Sequence, residues 1–227
     1  MDPAATYATS RQRLLDLAPS LSADQRAASL PATPPWTATD AYRHLAGVCA
    51  DVLAGNMPAS GPAGGDAWTA AQLEQRADWP LEQVCEQWAA QGSELDARIT
   101  AAGPAMGFVA LDSWTHEQDV RAATGVGGMH DCPSLPTLID LTLGGAGAFY
   151  LSKGGPTLRL VLDGEERLLG DGEPGAELRT SPYELMRMVF GRRSTAQIAA
   201  ADWSGAQAET AQGALHLFDP PPMDLID

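Results

Sequence analysis

The chain has 227 residues, and its 29 acidic and 14 basic side chains give it a formal net charge of −15. Such an acidic surface repels phosphate backbones and anionic lipid head groups, so neither nucleic acid nor a membrane is an expected partner. The three cysteines are dispersed and form no Cys-x2-Cys pair, which favours reduced thiols in a cytoplasmic protein. We expect neither a signal peptide nor a membrane span, because no segment has the required charge and apolar length.

The first two predicted helices are separated by a proline-rich connection. Residues 3–18 suit a helix that ends before Pro19, and residues 20–37 are rich in serine, alanine and proline. The second helix begins at Thr39 or Asp40, either of which can cap it. Its apolar residues recur with the spacing of one helix face, at Tyr42, Leu45, Ala46, Cys49, Val52 and Leu53.

His44 lies away from the apolar stripe of this second helix. It points about 160° from Tyr42 around the helix axis, toward Asp40 and Asp51. Two interpretations remain open at this point. The imidazole is either a surface group paired with Asp40, or it lies at an edge where it meets another helix.

Two more helices are predicted before residue 126. One begins near Pro80 and runs to about residue 101, with apolar residues at Leu81, Val84, Cys85, Trp88, Leu95 and Ile99. The next begins at Pro104 and ends at Gly125. On it Asp112 and His116 lie one turn apart on the same face. Such a pair can hold a divalent cation if a third ligand arrives from elsewhere, although the same pair also commonly stabilises a helix.

After a further helix over residues 136–151, the pattern changes from helical to alternating near residue 154. Residues 157–162 and 165–169 are expected to form a hairpin, and residues 175–179 a third strand. A helix follows from Pro182 and is ended by Gly191. We therefore predict a mainly α protein with a C-terminal α+β domain. Residues 1–154 form the helical bundle, residues 155–227 form the small domain, and the tail from Pro220 is loose.

Several segments along the chain together resemble one known family. They are Pro35-Trp36-Thr37, Asp40, His44-Leu45-Ala46, Trp68-Thr69 with Arg76, the acid-x3-His-x2-Asp-x-Arg pattern from Asp112 to Arg121, Asp163-Gly164, Pro182 to Met188, Phe190-Gly191-Arg192-Arg193-Ser194 and Asp202-Trp203-Ser204-Gly205. These segments resemble the mycothiol-dependent maleylpyruvate isomerase family. The resemblance implies a DinB-like up-and-down four-helix bundle, followed by a small sterol-carrier-like α/β sandwich.

The resemblance also implies a set of metal ligands. The family's histidine on the second helix, and its carboxylate and histidine four residues apart on a later helix, correspond to His44, Asp112 and His116. These three residues would hold a divalent metal, with zinc expected first, and would act in catalysis through it. The family usually has glutamate where this chain has Asp112, which is shorter by one methylene group.

The function implied is that of a metal- and thiol-dependent isomerase or S-transferase acting on an electrophilic small molecule such as maleylpyruvate. The thiol cosubstrate implied is mycothiol, a low-molecular-weight thiol. Its thiolate adds to the cis double bond, the resulting single bond rotates, and elimination returns the trans isomer. The alternative is a non-catalytic DinB-like scaffold that binds a metal or ligand or serves regulation, and Asp112 keeps it open. In either case we expect a monomer or a weak homodimer.

Arg192 and Arg193 are the candidate residues for contact with an anion or with the thiol cofactor. Guanidinium groups bind carboxylates in bidentate fashion, which suits an anionic substrate. The alternative is structural, because arginines that follow a helix C-terminus interact favourably with the helix dipole.

Overall fold

The computed structural model describes residues 2–58 and 62–227. Contacts between residues divide the chain into two compact units, residues 2–128 and residues 129–226. The change of sequence pattern predicts a division near residue 154. The contacts place it earlier because the helix over residues 135–152 packs on helices of the second unit.

The first unit is helical. Its helices are α1 (Pro3–Leu17), α2 (Ala23–Arg26), α3 (Ala38–Ala54), α4 (Pro62–Glu74), α5 (Leu81–Ala102) and α6 (Gly107–Thr124), with 3-10 turns at Ala18–Ser20 and Gly103–Met106. The four long helices pack as a bundle, in which α1 and α3 each contact both α5 and α6. Helix α4 packs on α3.

Local capping fixes where the helices of the site begin and end. The N-cap of helix α3 is Thr37, two residues before Thr39 and three before Asp40, and Asp40 completes a reciprocal capping box with it. Gly55 ends α3 and Gly125 ends α6, both in the left-handed conformation that glycine adopts without strain. The predicted stop of α6 at Gly125 is confirmed.

The core of the bundle contains large aromatic side chains, and two of them donate hydrogen bonds to residues of α1. Tyr7, Tyr42, Trp88 and Trp114 are almost fully buried. The indole N–H of Trp88 donates to the hydroxyl of Tyr7 over 2.7 Å, and the hydroxyl of Tyr42 donates to the carbonyl of Leu14 over 2.9 Å. Aromatic groups can therefore fill the bundle without leaving these donors unsatisfied.

The second unit combines a four-stranded mixed sheet with helices. Its elements are α7 (Leu135–Ser152), β1 (Leu158–Leu162), β2 (Glu165–Leu169), β3 (Ala176–Thr180), α8 (Pro182–Val189), α9 (Thr195–Ala199), β4 (Asp202–Ser204) and α10 (Ala208–Leu215). The strand order is β2-β1-β3-β4, with β1 and β3 parallel and the other pairs antiparallel. The predicted hairpin turns at Asp163 and Gly164, both of which have positive φ.

The expected fold class, a helical domain followed by a small α/β domain, is confirmed. The predicted loose tail is wrong, because the side chain of Gln197 pairs with both the N–H and the carbonyl of Leu225. In the part of the chain that the structure describes, no helix combines the length and apolar character needed to cross a membrane.

A buried ion-pair group joins α1 to α6. The carboxylate of Glu117 has no exposed area, and it accepts hydrogen bonds from Arg13 Nε at 2.6 Å and from Arg121 Nε at 2.9 Å. Arg121 pairs with Glu117, which lies one turn before it on α6. The two guanidinium groups share the negative charge of one buried carboxylate, so both lose their counter-charge if it is removed.

We expect Glu117→Gln to lower the free energy of unfolding of the first unit by about 3 kcal/mol, because Arg13 and Arg121 lose their buried counter-charge. Urea denaturation followed by tryptophan fluorescence measures this. The matched control is Glu94→Gln, which removes an exposed pair with Arg98 and should cost less than about 1 kcal/mol. Equal effects of the two substitutions would contradict the prediction.

Candidate metal site

His44, Asp112 and His116 converge on one point in the first unit. His44 comes from α3, and the other two come from successive turns of α6. His44 Nε2 lies 3.3 Å from Asp112 Oδ2, and His116 Nε2 lies 3.6 Å from Asp112 Oδ1. One ligand atom from each residue lies within 4.8 Å of the other two. The three residues that the sequence analysis brought together are therefore neighbours in the structure.

The spacing of these donor atoms fits a small divalent cation. Donors that share one zinc-like ion at ~2.0–2.2 Å in tetrahedral geometry stand about 3.3–3.6 Å apart. Measured to the single oxygen Oδ1 of Asp112, the separations are 3.4 Å from His44 Nε2 and 3.6 Å from His116 Nε2, and both fall in that range. Two imidazole nitrogens and one carboxylate also form a ligand set that zinc accepts. The shorter side chain of Asp112 therefore still reaches both histidines. His44, Asp112 and His116 fit the divalent metal that the family resemblance implies.

His116 is oriented by a second carboxylate. Asp119 lies one turn further along α6, and its Oδ2 is 3.2 Å from His116 Nδ1. Asp119 is buried. A carboxylate beside one ring nitrogen fixes the ring orientation and raises the basicity of the other nitrogen. Here the other nitrogen is Nε2, which faces Asp112.

His44 is oriented by an amide. Its Nδ1 lies 2.8 Å from Gln72 Oε1 of α4, and its Nε2 faces Asp112. The alternative of a surface imidazole paired with Asp40 is wrong, because His44 is only 5% exposed. The carboxylate of Asp40 instead accepts hydrogen bonds from Thr37 and Arg43.

Trp36 lies against both histidine rings. Its ring centroid is 5.1 Å from that of His44 and 5.4 Å from that of His116, and the ring planes of Trp36 and His116 are within 28° of parallel. Asp112 has the most exposed side chain of the three candidate ligands, at 28%. The site is therefore covered by the indole on one side and reached from solvent beside the carboxylate.

The cysteines have no place in this cluster. Cys49 and Cys132 are buried, Cys85 is half-buried, and all three are free thiols. Burial raises the pKa of Cys49 to about 11 and that of Cys85 to about 11. These two thiols are therefore protonated near neutral pH, as expected for packing residues rather than nucleophiles.

The two candidate anion contacts lie in the second unit, beyond the end of α8. The guanidinium of Arg193 forms a bidentate pair with Glu184, with Nε–Oε2 and Nη2–Oε1 both at 2.8 Å. Arg192 Nη1 donates to the carbonyl of Phe190 at the end of α8. The latter contact matches the structural alternative, in which an arginine interacts with the C-terminus of the helix.

The sequence patterns alone assign no role in the site to Gln72 or Trp36. Trp36 lies in the Pro35-Trp36-Thr37 segment, but the residues around it in the sequence do not predict which side chains its ring contacts. Gln72 follows Trp68 by one helical turn and precedes Arg76 by another, so its position on a helix face was readable. Its contact with His44 depends on how α4 packs on α3, which sequence spacing does not encode.

Comparisons with known proteins give two structural matches. No family model matches the chain, and no curated protein matches it. The crystal structure of a mycothiol-dependent maleylpyruvate isomerase has a TM-score of 0.43 and 15% identity to this chain. The crystal structure of a histidine-to-alanine mutant of such an isomerase has a TM-score of 0.46 and 13% identity. Each match covers 84% of this chain and 87% of the other.

We expect thiol reagents to modify Cys49 and Cys85 slowly near neutral pH, because a raised pKa keeps the reactive thiolate scarce. The rate should increase with pH and level off only above about 11. Peptide mapping by mass spectrometry after timed iodoacetamide treatment measures it, with the urea-unfolded chain as the control. Rapid labelling of either residue in the folded protein near neutral pH would contradict the expectation.

Proposed function

We propose that this protein is a metal- and thiol-dependent enzyme, an isomerase or S-transferase, that acts on an electrophilic small molecule such as maleylpyruvate. The observation that carries the proposal is the convergence of His44, Asp112 and His116, with Nε2 of both histidines facing one carboxylate. Zinc is the proposed metal, and mycothiol is the proposed thiol.

The three side chains would hold the metal, leaving a position open toward solvent as catalytic sites do. When bound, such a cation lowers the pKa of a coordinating thiol and so supplies thiolate near neutral pH. The chain's own residues fix the ligands. Asp119 keeps Nε2 of His116 directed at Asp112, and Gln72 does the same for His44.

The proposed isomerisation is a reversible addition of the thiolate to a conjugated cis alkene. A sulfur–carbon bond forms while the π electron pair moves to the conjugated carbonyl as an enolate. Rotation about the new single bond precedes return of the electron pair, which breaks the sulfur–carbon bond and releases the trans alkene and the thiolate. In S-transfer the adduct instead takes up a proton at carbon and leaves.

The thiol is proposed to come from a separate molecule because the chain does not offer a suitable one. Burial raises the pKa of Cys49 and Cys85 to about 11, and Cys132 belongs to the second unit and is buried. An anion-binding role for Arg192 and Arg193 remains a proposal. It requires Arg193 to exchange Glu184 for the anion, because Glu184 already accepts two hydrogen bonds from one edge of its guanidinium.

We expect His116→Ala to abolish turnover and to weaken zinc binding by more than the about 10–100-fold that loss of an outer partner costs. The physical reason is the loss of one of three ligands. Zinc affinity is measured by competition with a chromophoric chelator, and turnover is measured with maleylpyruvate and added thiol. His130→Ala is the matched control, because this histidine is exposed and lies in the second unit. Cys49→Ala should also leave turnover largely intact.

Two outcomes would refute the enzymatic proposal. One is undiminished turnover after thorough chelation, and the other is undiminished turnover without added thiol. Tight zinc binding without measurable thiol affinity would instead favour the non-catalytic scaffold.

Asp112→Glu tests whether the shorter carboxylate has weakened the site. We expect zinc affinity to stay unchanged or to fall, because the oxygens of Asp112 already stand 3.3 and 3.6 Å from the two histidine nitrogens. Asp112→Asn, which keeps the shape but removes the charge, should weaken binding more. The chelator competition measures both variants. Tenfold tighter binding by Asp112→Glu would show that the aspartate impairs the site.

A further inference from the structure

His44 can bind a metal through Nε2 only if that nitrogen carries no proton. A neutral imidazole has one protonated ring nitrogen and one bare nitrogen, and the hydrogen-bond partner of one decides the state of the other. The partner of His44 Nδ1 is an amide, which can either accept or donate. The orientation of the Gln72 side chain therefore decides whether His44 can act as a ligand.

A carboxylate behind Gln72 sets that orientation. Gln72 Nε2 donates to Asp51 Oδ2 over 2.8 Å, and Gln72 Oε1 lies 2.8 Å from His44 Nδ1. A carboxylate only accepts hydrogen bonds, so Asp51 must face the NH2 group of Gln72. The amide oxygen then faces Nδ1 of His44, which must donate its proton to it.

We propose that Asp51 and Gln72 are positioning residues that select the metal-binding tautomer of His44. In this tautomer Nδ1 carries the proton and Nε2 presents its lone pair toward Asp112. The inference deepens the proposed function and rests on it, because the lone pair serves a bound metal.

The three groups are buried. Gln72 has no exposed area, and Asp51 and His44 are buried. The second oxygen of Asp51 accepts a hydrogen bond from Asn56 Nδ2 at 2.8 Å. Arg76 is buried beside them, and its Nη1 donates to the carbonyl of Gln72 at 3.1 Å.

Gly47 makes room for the connection. It lies between His44 and Asp51 on the same face of α3, three residues after the first and four before the second. A Cβ atom at this position would stand 2.6 Å from Gln72 Cβ and 2.7 Å from Gln72 Cγ. The side chain of Gln72 therefore crosses α3 where the helix has no side chain, and it reaches the residue on either side.

The tautomer is directly observable in the metal-free protein. Nitrogen–proton correlation NMR of the 15N-histidine-labelled chain distinguishes protonated Nδ1 from protonated Nε2. The chain has four histidines, and His44→Gln identifies the signal of His44. We expect protonated Nδ1 in the wild-type protein, measured at a pH above the ordinary pKa of histidine.

Three variants test the selection. Gln72→Met keeps the length of the side chain but removes the acceptor, so the proton of His44 should move to Nε2 and donate to Asp112. Asp51→Leu removes the group that orients the amide, so both tautomers should be populated. The double variant Asp51→Asn with Gln72→Glu exchanges the positions of the amide and the carboxylate. The introduced carboxylate accepts from Nδ1 as the amide oxygen did, and the introduced amide donates to that carboxylate, so protonated Nδ1 should return.

Zinc affinity provides a second measurement. It should fall about 10–100-fold in Gln72→Met and recover in the double variant. Protonated Nδ1 remaining the main form in Gln72→Met, or remaining the sole form in Asp51→Leu, would overturn the proposal, as would a double variant that fails to restore it. A wild-type protein with protonated Nδ1 but without zinc affinity would refute the proposed function and leave the selection of the tautomer standing.

Discussion

The carboxylate of Asp112 stands between two imidazole rings, and the packing of α3 and α6 depends on this arrangement. Each ring turns its Nε2 toward Asp112 and its Nδ1 toward a group that holds it, Gln72 for His44 and Asp119 for His116. Three polar side chains of this kind are costly to bury unless each has partners. The bundle supplies those partners from three helices, α3, α4 and α6.

Helix α6 consequently differs from an ordinary bundle helix. Most of its length is buried, including polar residues from Ser113 to Asp119. One part of this face serves the candidate metal site, and another, Glu117, binds Arg13 of α1 and Arg121 of its own helix. A helix so placed shows little separation of polar and apolar faces, because polar side chains point inward on several sides.

The sequence predicted the elements that have a regular pattern. The stripe from Tyr42 to Leu53 marked α3, and the alternation of residues 157–162 marked β1. The i, i+4 spacing of Asp112 and His116 is a property of one helix, so it was readable without the fold. Meeting His44 requires two helices to pack in one register, and the resemblance supplied that expectation, because periodicity cannot. Strand β4 has only three residues, too few to show alternation. Helix α7 was predicted as a helix, but the pattern of its apolar residues does not indicate which unit it packs against.

The indole that covers the two histidines comes from outside the helices. Trp36 belongs to the connection between α2 and α3, which is closed by a bridge between Ser29 and Thr37 and by a hydrogen bond from the N–H of Leu30 to the carbonyl of Trp36. The candidate ligands, in contrast, are all held on helices. Loops tolerate sequence change far better than packed helices do. Sequence change in this connection can therefore alter the cover over the two histidines while the helices that bear the candidate ligands remain as they are.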